Sequence, residues 1–408
     1  MCRARKGSRV LTGVFAPLRV ADYRRLWLGQ VVSVVGDKIN QIAMAMMVYA
    51  ITGSMLQMGL MLGITFLPAA LLGIFAGVYV DRWDHRTTMV WADIARGLLV
   101  LTIPFVVPFG LYWAYLIAFL VSTLSLFFLP AKRAVIPEIV PADHLMAANS
   151  LDNASESVAE LVGLGLGGGL MAVLQYRGAF IVDATTFLFS AIMIYRMTYR
   201  RAPSDEGAEP SSVLAEAREG LEFIGRSSIL RELMAVYIPA AVFASAAISI
   251  CYALALVRYK AGAPGLALLD AGIAVGALLG ALAVARSGPG RPGLKFLFGT
   301  AAFGASLVLI SLAGTIWIAV IFFVIGGIAN MWFFIPATTI MQSHAAPELR
   351  GRVMAALTTA TRLAMVVGLI GAGALADKTS IPLLTALTGA AAVVVALIGF
   401  TSSALRAA

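Results

Sequence analysis

Polar residues inside otherwise apolar stretches are the first candidates for chemistry in this sequence. Gln30, Ser33, Asp37 and Gln41 follow one another at spacings of 3, 4 and 4 residues, which places them on one face of a helix. An ionised carboxylate in an apolar environment is costly, so it is retained where it is used or paired. The row therefore predicts the lining of a central cavity, with Asp37 as a group that can bind and release a proton.

A second group of acidic residues lies near the end of the N-terminal half. Asp152, Glu156 and Glu160 are spaced four residues apart, so their carboxylates stack on one helix face and repel one another. Such carboxylates either bind a proton or take a basic partner. We therefore predict that Glu156 and Glu160, together with Arg362, belong to the proton-coupling site. Ion pairs with Lys38 or Arg362 would instead make the glutamates structural locks, and both interpretations stay open.

The remaining candidate cavity residues are polar side chains that interrupt apolar segments: Gln30, Ser33, Lys38, Asn40, Asp183, Asp270 and Asn330. For Asp183 and Asp270, toward the ends of their segments, a structural role and a cavity role are equally open. The three histidines fall in short polar connections and the two cysteines form no cluster, so we expect no metal site and no cofactor. A proton, or alternatively Na⁺, would be the coupling ion.

These residues need a membrane-spanning framework, because the composition excludes a soluble protein. Of the 408 residues, 60% are hydrophobic and 51 are charged (30 Lys and Arg, 21 Asp and Glu). Soluble domains are about 45–50% apolar and about 25% charged. Hydrophobic runs of 20 or more residues recur along the chain, and each can cross a hydrocarbon core about 30 Å thick. The sequence therefore predicts an all-α membrane protein embedded in the lipid bilayer.

Twelve such spans are predicted, in two halves of six. They cover residues 26–51, 55–80, 87–109, 112–136, 146–174, 177–199, 229–257, 264–286, 293–313, 315–342, 353–375 and 381–404. The longest connection contains an amphipathic stretch from Ser212 to Gly225. The predicted organisation is a cytoplasmic N-terminal segment (1–25), an N-terminal six-helix bundle (26–199), a cytoplasmic linker with an amphipathic helix (200–228), a C-terminal six-helix bundle (229–404) and a tail (405–408).

The distribution of basic residues predicts the orientation in the membrane. With the N-terminus in the cytoplasm, the inside segments hold 23 Lys and Arg and the outside connections hold four. Cytoplasmic loops of multi-pass proteins carry this excess of Lys and Arg. We therefore expect both termini inside, in the cytoplasmic (inner) membrane of a prokaryote. We attribute the net charge of +9 to topology and anionic lipid rather than to nucleic acid.

Short phrases recur between the two halves. Phe128-Leu-Pro-Ala131 recurs as Phe334-Ile-Pro-Ala337, an offset of 206 residues, and Pro141 recurs as Pro347 at the same offset. This offset corresponds to six spans, so it indicates a parallel repeat with pseudo-symmetric halves. Transporters built from such repeats bind substrate near the bilayer midplane.

A charged motif at the end of span two carries a family resemblance. The segment Gly77-Val-Tyr-Val-Asp81-Arg82-Trp83-Asp84-His85-Arg86 resembles the signature loop of the major facilitator superfamily, G-x-x-x-D-R-x-G-R-R, with Asp84 and His85 as departures. Gly77 permits close approach of a neighbouring helix, and Asp81 can accept hydrogen bonds at the positive N-terminus of another helix. The resemblance implies a twelve-helix fold with a cytoplasmic gate, in which the start of span eleven, with Arg352, is the partner of Asp81.

The predicted gate consists of Gly77, Asp81, Arg82, Arg86, Asp93, Arg96 and Arg352. Asp93 and Arg96 are three residues apart in span three, a spacing that favours an ion pair on one helix face. We interpret this pair as a structural brace for the Asp81 loop.

Further phrases narrow the resemblance. Four occur in order: Tyr23-Arg-Arg-Leu-Trp-Leu-Gly-Gln30, Pro130-Ala-Lys-Arg-Ala-Val-Ile-Pro-Glu138, Ala179-Phe-Ile-Val-Asp183 and Pro347-Glu-Leu-Arg-Gly-Arg352. Together they are similar to the branch that holds macrolide-efflux and enterobactin-exporter proteins. That branch implies export of an amphiphilic small molecule, driven by proton entry. One departure is Leu164, where drug antiporters usually carry a proline in span five.

We therefore expect a secondary active transporter, a monomer that exports a hydrophobic or amphiphilic small molecule, such as a drug or siderophore-like compound, by proton-coupled alternating access. A lipid or lysophospholipid carrier of the same fold is the alternative, because the Pro130–Arg133 phrase is also similar to lysophospholipid transporters. A non-transporting membrane sensor would not need the titratable residues. An enzyme is not expected, since the sequence shows no Ser, His and Asp constellation, and it shows no phosphate-binding G-x-x-x-x-G-K-[ST] loop for ATP.

Overall fold

The computed structural model describes residues 15–80, 83–200, 213–288, 290–345 and 349–407. Within these ranges the regular structure is helical, and no β-strand occurs among the described residues. An all-helical framework is what a bilayer demands, because a helix satisfies its own backbone hydrogen bonds where no water is present.

Thirteen α-helices are numbered here in chain order within the described ranges. The first five are α1 Ala21–Thr52, α2 Met55–Val80, α3 His85–Val106, α4 Tyr112–Ile139 and α5 Leu145–Tyr195. The others are α6 Val213–Arg226, α7 Ser228–Ala253, α8 Gly262–Arg286, α9 Pro292–Leu312, α10 Ile316–His344, α11 Arg350–Ala376, α12 Ile381–Thr401 and α13 Ser403–Ala407. A π-helical turn, Leu254–Arg258, continues α7. All twelve predicted spans fall on these helices.

Helix α5 contains two membrane-length segments. Its 51 residues would extend about 76 Å as one straight helix, far more than a hydrocarbon core of about 30 Å. The helix breaks at Gln175, whose φ of 55° is not helical. The two segments, residues 145–174 and 176–195, are called the first and second arms of α5 below. They correspond to predicted spans five and six.

Eleven helical segments within the described residues are long and apolar enough to cross a membrane. The first arm of α5 is not among them. This arm carries three acidic residues, Asp152, Glu156 and Glu160. The eleven apolar segments confirm a multi-pass membrane protein.

The chain divides into two compact units. The first comprises Met1–Met44 and Leu72–Ala208, and the second comprises Ala45–Leu71 and Glu209–Ala408. The C-terminal end of α1 and the N-terminal part of α2, which follow one another in the chain, therefore belong to the second unit. The bundle boundaries at residues 199 and 228 stay a prediction.

In the first unit, aromatic side chains near the start of α1 fix this helix to the first arm of α5. The buried Tyr23 donates a hydrogen bond from its hydroxyl to the Ala148 carbonyl at 2.8 Å. Trp27 donates from its indole nitrogen to Ser155 Oγ at 2.9 Å. Buried aromatic residues with a polar tip usually find such a partner. The Tyr23–Gln30 phrase therefore positions the polar row of α1.

In the second unit, the beginning of α2 packs directly on α11. A Cβ atom built on Gly59 would lie 2.5 Å from the Leu369 carbonyl oxygen. Only glycine permits so close an approach of two helix backbones. The contact belongs to the second unit and explains why residues 45–71 group with it.

Candidate functional site

Three helices of the first unit bring charged side chains into one buried region. Helix α1 supplies Asp37, α3 supplies Asp93 and Arg96, and the second arm of α5 supplies Asp183. Asp37 interacts electrostatically with Arg96 and Asp93, and Asp183 interacts with Asp37 and Arg96. We call these four residues the carboxylate cluster. Asp93, Arg96 and Asp183 are buried, whereas Asp37 is half-buried.

Several neighbouring side chains contact the Arg96 guanidinium. Its guanidinium is paired with the Asp93 carboxylate and donates a hydrogen bond to Ser125 Oγ at 3.3 Å. The Phe128 and Phe187 ring centroids lie 4.6 and 4.5 Å from its Cζ atom. A desolvated cation–π contact can contribute about 2 kcal/mol. The surroundings therefore stabilise one buried positive charge among three carboxyl groups.

A glycine allows α1 to reach the second arm of α5 at the cluster. A Cβ atom built on Gly36 would lie 2.1 Å from Thr186 Oγ1 and 2.6 Å from Asp183 Oδ1. Thr186 donates from its hydroxyl to the Asp183 backbone carbonyl at 2.7 Å. The backbone of α1 thus occupies the space that a side chain would need, and Asp37 is carried next to Asp183.

The cluster contains hydrogen-bond acceptors that have no donor. Among the described residues, Asp93 Oδ2, Asp183 Oδ2 and Asn40 Oδ1 are buried without a hydrogen-bond partner. The Asn40 side chain lies beside the Asp183 carboxylate. Buried acceptors are almost always satisfied in native proteins. Arg96 Nε, a donor in the same region, is also without a partner among the described residues, so hydrogen bonding within the cluster is incomplete on both sides.

The other polar residues of α1 differ in their burial and in their contacts near the cluster. Gln30 donates from its side-chain amide to Ser190 Oγ at 3.1 Å, and this hydroxyl lies beside Asp93. Ser33 is buried, and Gln41 is half-buried one turn beyond Asp37. The predicted polar row is therefore present along α1 in the structure. Its middle residue, Asp37, faces the other members of the carboxylate cluster.

The acidic row on the first arm of α5 is largely neutralised by lysines. Lys132 Nζ lies 2.9 Å from Asp152 Oδ2, and Lys38 Nζ lies 3.0 Å from Glu160 Oε1. Glu156 is exposed between them and interacts electrostatically with Asp37. Of the two interpretations left open by the sequence, the structure gives Glu160 a basic partner, which is Lys38. Glu156 stays a candidate for proton transfer.

Three predicted cavity residues lie in the second unit. The Arg362 guanidinium stands over the Phe66 ring, 5.4 Å from its centroid. Asp270 Oδ1 lies 3.7 Å from Cys251 Sγ. Asn330 lines a separate apolar cavity.

Comparisons with known proteins decide the family. Residues 26–369 match the sequence profile of the Major Facilitator Superfamily. The chain belongs to this superfamily. As a member it is a multi-pass membrane transporter rather than an enzyme.

The transporter has relatives along nearly its whole length. It is 27% identical to an uncharacterised transporter of Bacillus subtilis, YfiS, over 91% of both chains. It is 23% identical to macrolide efflux protein A of Streptococcus pyogenes, over 87% of this chain and 89% of the relative. The crystal structure of the nucleoside transporter NupG covers 93% of this chain and 98% of its own, with a TM-score of 0.76 at 10% identity. The structural likeness shows the fold alone.

The predicted gate of the transporter is seen only in part. Asp81 and Arg82 lie outside the described residues, and Gly77 lies in α2 at a position whose surroundings the structure does not describe. Arg86 donates from Nε to the Ile194 carbonyl at 3.3 Å, so it caps the end of α5. Arg352 pairs with Glu219 of the amphipathic helix α6. The Asp81–Arg352 contact stays a prediction.

Asp93 and Arg96 form the ion pair that their spacing predicts. The pair lies in the carboxylate cluster with Asp37 and Asp183. Its role as a brace for the Asp81 loop stays a prediction, because Asp81 lies outside the described residues. A spacing of three residues identifies a pair on one helix face and leaves the facing helix unknown, so only the packing of α1 and α5 on α3 could place it.

The sequence alone did not indicate the role of one polar residue of the transporter. Asp377, just after α11, accepts hydrogen bonds from Ser54 Oγ at 2.6 Å and from the backbone nitrogens of Met55 and Leu56 at 2.7 and 3.0 Å. It caps the N-terminus of α2, where unpaired N–H groups and the helix dipole favour an anion. An aspartate after an apolar helix gives no local signal, because its partners are more than 300 residues away in the chain.

Proposed function

We propose that the transporter exports a hydrophobic or amphiphilic small molecule in exchange for protons, and that the carboxylate cluster binds the coupling proton. The observation that carries the proposal is the composition of the cluster. Three carboxyl groups, Asp37, Asp93 and Asp183, surround one guanidinium, Arg96. Lys38, the other cation that acts on Asp37, is paired with Glu160.

Charge balance supports proton binding. If all three carboxyl groups were ionised, the cluster would carry two uncompensated negative charges. Charged side chains within a membrane are costly unless they are paired, and buried charges without partners become neutral instead. Protons on two carboxyl groups would balance the charge. A protonated Asp183 carboxyl group could also donate to Asn40 Oδ1, which has no donor within the described residues.

The exposure of the three carboxyl groups supports an order of proton transfer. Asp37 is half-buried and Glu156 is exposed, whereas Asp93 and Asp183 are buried. Protons would therefore exchange with water at Asp37, with Glu156 as an outer relay. Asp183 would hold the other proton and exchange it through Asp37. Asp93 would chiefly neutralise Arg96.

Export is proposed from the relatives. Macrolide efflux protein A is similar over most of both chains, and a putative bacilysin exporter of Bacillus subtilis is 29% identical over 39% of this chain. Both names describe outward movement of a small molecule. We propose the same direction here, in the cytoplasmic membrane of a prokaryote, with both termini inside and a monomer as the working unit.

Alternating access is proposed for the transport cycle. The Asp81 loop would close the cytoplasmic side, as the superfamily resemblance implies. The packing of α2 on α11 near Gly59, with Asp377 capping α2, lies at the predicted outer ends of both helices. We propose that this packing closes the outer side and opens once per cycle.

The test is substrate flux in proteoliposomes under an imposed gradient of either protons or Na⁺. The probes are a radiolabelled macrolide and a radiolabelled lysophospholipid, which represent the proposed substrate class and the lipid alternative. We expect macrolide flux that follows the proton gradient and does not respond to Na⁺. Asp37→Asn and Asp183→Asn should abolish the response to the proton gradient, because an amide cannot exchange the proton.

The matched control is Asp143→Asn, whose side chain is 74% exposed. This variant should respond to the gradient as the wild type does. Undiminished proton-driven flux in both cluster variants would contradict the coupling assignment. Flux of the lysophospholipid alone would favour the lipid carrier.

A further inference from the structure

A cavity of about 290 Å³ lies within the second unit, among helices α7, α8, α9, α10 and α11. Its wall is mainly aromatic and aliphatic, with Phe303, Phe323, Phe333 and Phe334 among its side chains. Of the described residues that line it, none is Asp, Glu, Lys, Arg or His. The cavity thus offers no counter-charge to an ion, and an ionised ligand would lose its hydration without compensation.

The hydroxyl groups of the wall are already engaged. Ser245 Oγ donates to the Val242 carbonyl at 2.9 Å, and Ser306 Oγ donates to the Phe303 carbonyl at 2.7 Å. Thr361 Oγ1 lies 2.8 Å from the Leu357 carbonyl and 3.3 Å from the Tyr237 hydroxyl. These groups satisfy their own helices or each other.

Asn330 differs from the rest of the wall. Its side chain is half-buried and lines the cavity, and within the described part of the chain its amide has no hydrogen-bond partner. A side-chain amide offers two donors and one acceptor. Next to an apolar space, unpaired polar atoms are unfavourable, so the amide is ready for a ligand that brings the complementary groups.

The size of the space limits that ligand. An apolar cavity of roughly 150 Å³ lined by aliphatic and aromatic side chains binds one benzene ring. At about 290 Å³, this cavity holds about twice that volume. Stacked rings of Tyr237 and Phe333, with centroids 4.9 Å apart, form a flat wall against which an aromatic ligand can pack.

We propose that this cavity binds a neutral compound of one or two fused aromatic rings, and that the Asn330 amide recognises a carbonyl, amide or hydroxyl group on it. The inference rests on the proposed function in one respect, since this compound would be one class among the hydrophobic small molecules that the exporter carries. Asn330 would determine specificity, and the phenylalanine wall would supply most of the affinity.

The test is equilibrium binding to the full-length transporter in detergent, without any gradient. Three fluorescent ligands share one ring system: 2-naphthamide, 2-methylnaphthalene and 2-naphthoate. We expect 2-naphthamide to bind up to about tenfold more tightly than 2-methylnaphthalene, the gain that a hydrogen bond typically brings. The anion 2-naphthoate should bind most weakly.

Two variants locate the site. Asn330→Leu should abolish the preference for 2-naphthamide and keep binding of 2-methylnaphthalene, whereas the exposed control Asn149→Leu should keep the preference. Ala244→Phe should fill the cavity and abolish binding of both. Equal wild-type affinities for the three ligands, tighter binding of 2-naphthoate, or an unchanged preference in Asn330→Leu would overturn the proposal. The comparison of the three ligands on the wild type does not depend on the folding of any variant. Binding is measured without a gradient, so it is independent of proton coupling. The proposed aromatic site and the proposed proton coupling can therefore be refuted separately.

Discussion

At the scale of single residues, the carboxyl groups of the first unit differ in their exposure to solvent. Asp37 is half-buried, whereas Asp93 and Asp183 are buried. A proton-coupled transporter needs both kinds, since one group must meet water and another must hold the proton in an apolar region. The sequence suggests Asp37 through the polar row, and it leaves Asp183 undecided between a structural and a cavity role.

Gly36 is the residue on which this arrangement depends most directly. Gly36→Ala would place a methyl group 2.1 Å from the present position of Thr186 Oγ1, so α1 or α5 must shift. Overpacking of this kind typically costs about 1–3 kcal/mol. We expect a lower thermal unfolding temperature in detergent and a weaker response of flux to the proton gradient.

The control for Gly36 is Gly165→Ala on the first arm of α5, where an added Cβ atom would meet nothing within 4 Å. This variant should unfold at or above the wild-type temperature, since alanine favours a helix over glycine by about 1 kcal/mol. If Gly36→Ala unfolded and transported as the wild type does, the close approach of α1 and α5 would not matter for the site.

At the scale of helices, the contact between α2 and α11 is built from small residues and one carboxylate. Burial by itself would raise the pKa of Asp377, but hydrogen bonds from Ser54, Leu56 and Met55 outweigh it and hold the pKa below its ordinary value of 3.8. A carboxyl group with a lowered pKa in the folded state stabilises that state when it is ionised.

Asp377→Ala tests this contact as a function of pH. Removal of a helix cap typically costs about 0.5–2 kcal/mol, so we expect a lower unfolding temperature than in the wild type at neutral pH. The difference should be complete above the ordinary carboxyl pKa of 3.8. It should vanish as the pH falls through the lower pKa of the folded state, because both proteins then lack the ionised cap.

The measurement is thermal unfolding in detergent over a range of pH, with Asp143→Ala as the exposed control. A difference that persists at the lowest pH would show that Asp377 acts through packing rather than charge. Faster hydrogen exchange at the amides of Met55 and Leu56 in Asp377→Ala would locate the effect at the start of α2.

At the scale of the whole molecule, the positive-inside count predicts which loops face the cytoplasm. Cysteine labelling in cells with a membrane-impermeant maleimide tests this orientation, in a background without Cys2 and Cys251. We expect Lys378→Cys, after α11, to be labelled in intact cells. Arg286→Cys, at the end of α8, should be labelled only after the membrane is opened. The reverse pattern would invert the topology and the proposed direction of transport.

The sequence by itself determined the class of the protein, the twelve spans and the family. These properties depend on local composition: a span needs about 20 apolar residues, and the signature loop is one continuous segment. The helical periodicity also placed Gln30, Ser33, Asp37 and Gln41 on one face of α1, because the spacing within a helix is fixed.

Only the tertiary structure decided which residues of different helices meet. It placed the Asp93–Arg96 pair beside Asp37 and Asp183, gave Glu160 the partner Lys38, and revealed Asp377 at the start of α2. Such contacts join positions far apart in the chain, and they depend on how closely two helix backbones approach, as at Gly36 and Gly59. A spacing within one helix contains no information about its neighbour, so the carboxylate cluster could be recognised only after the helices were packed.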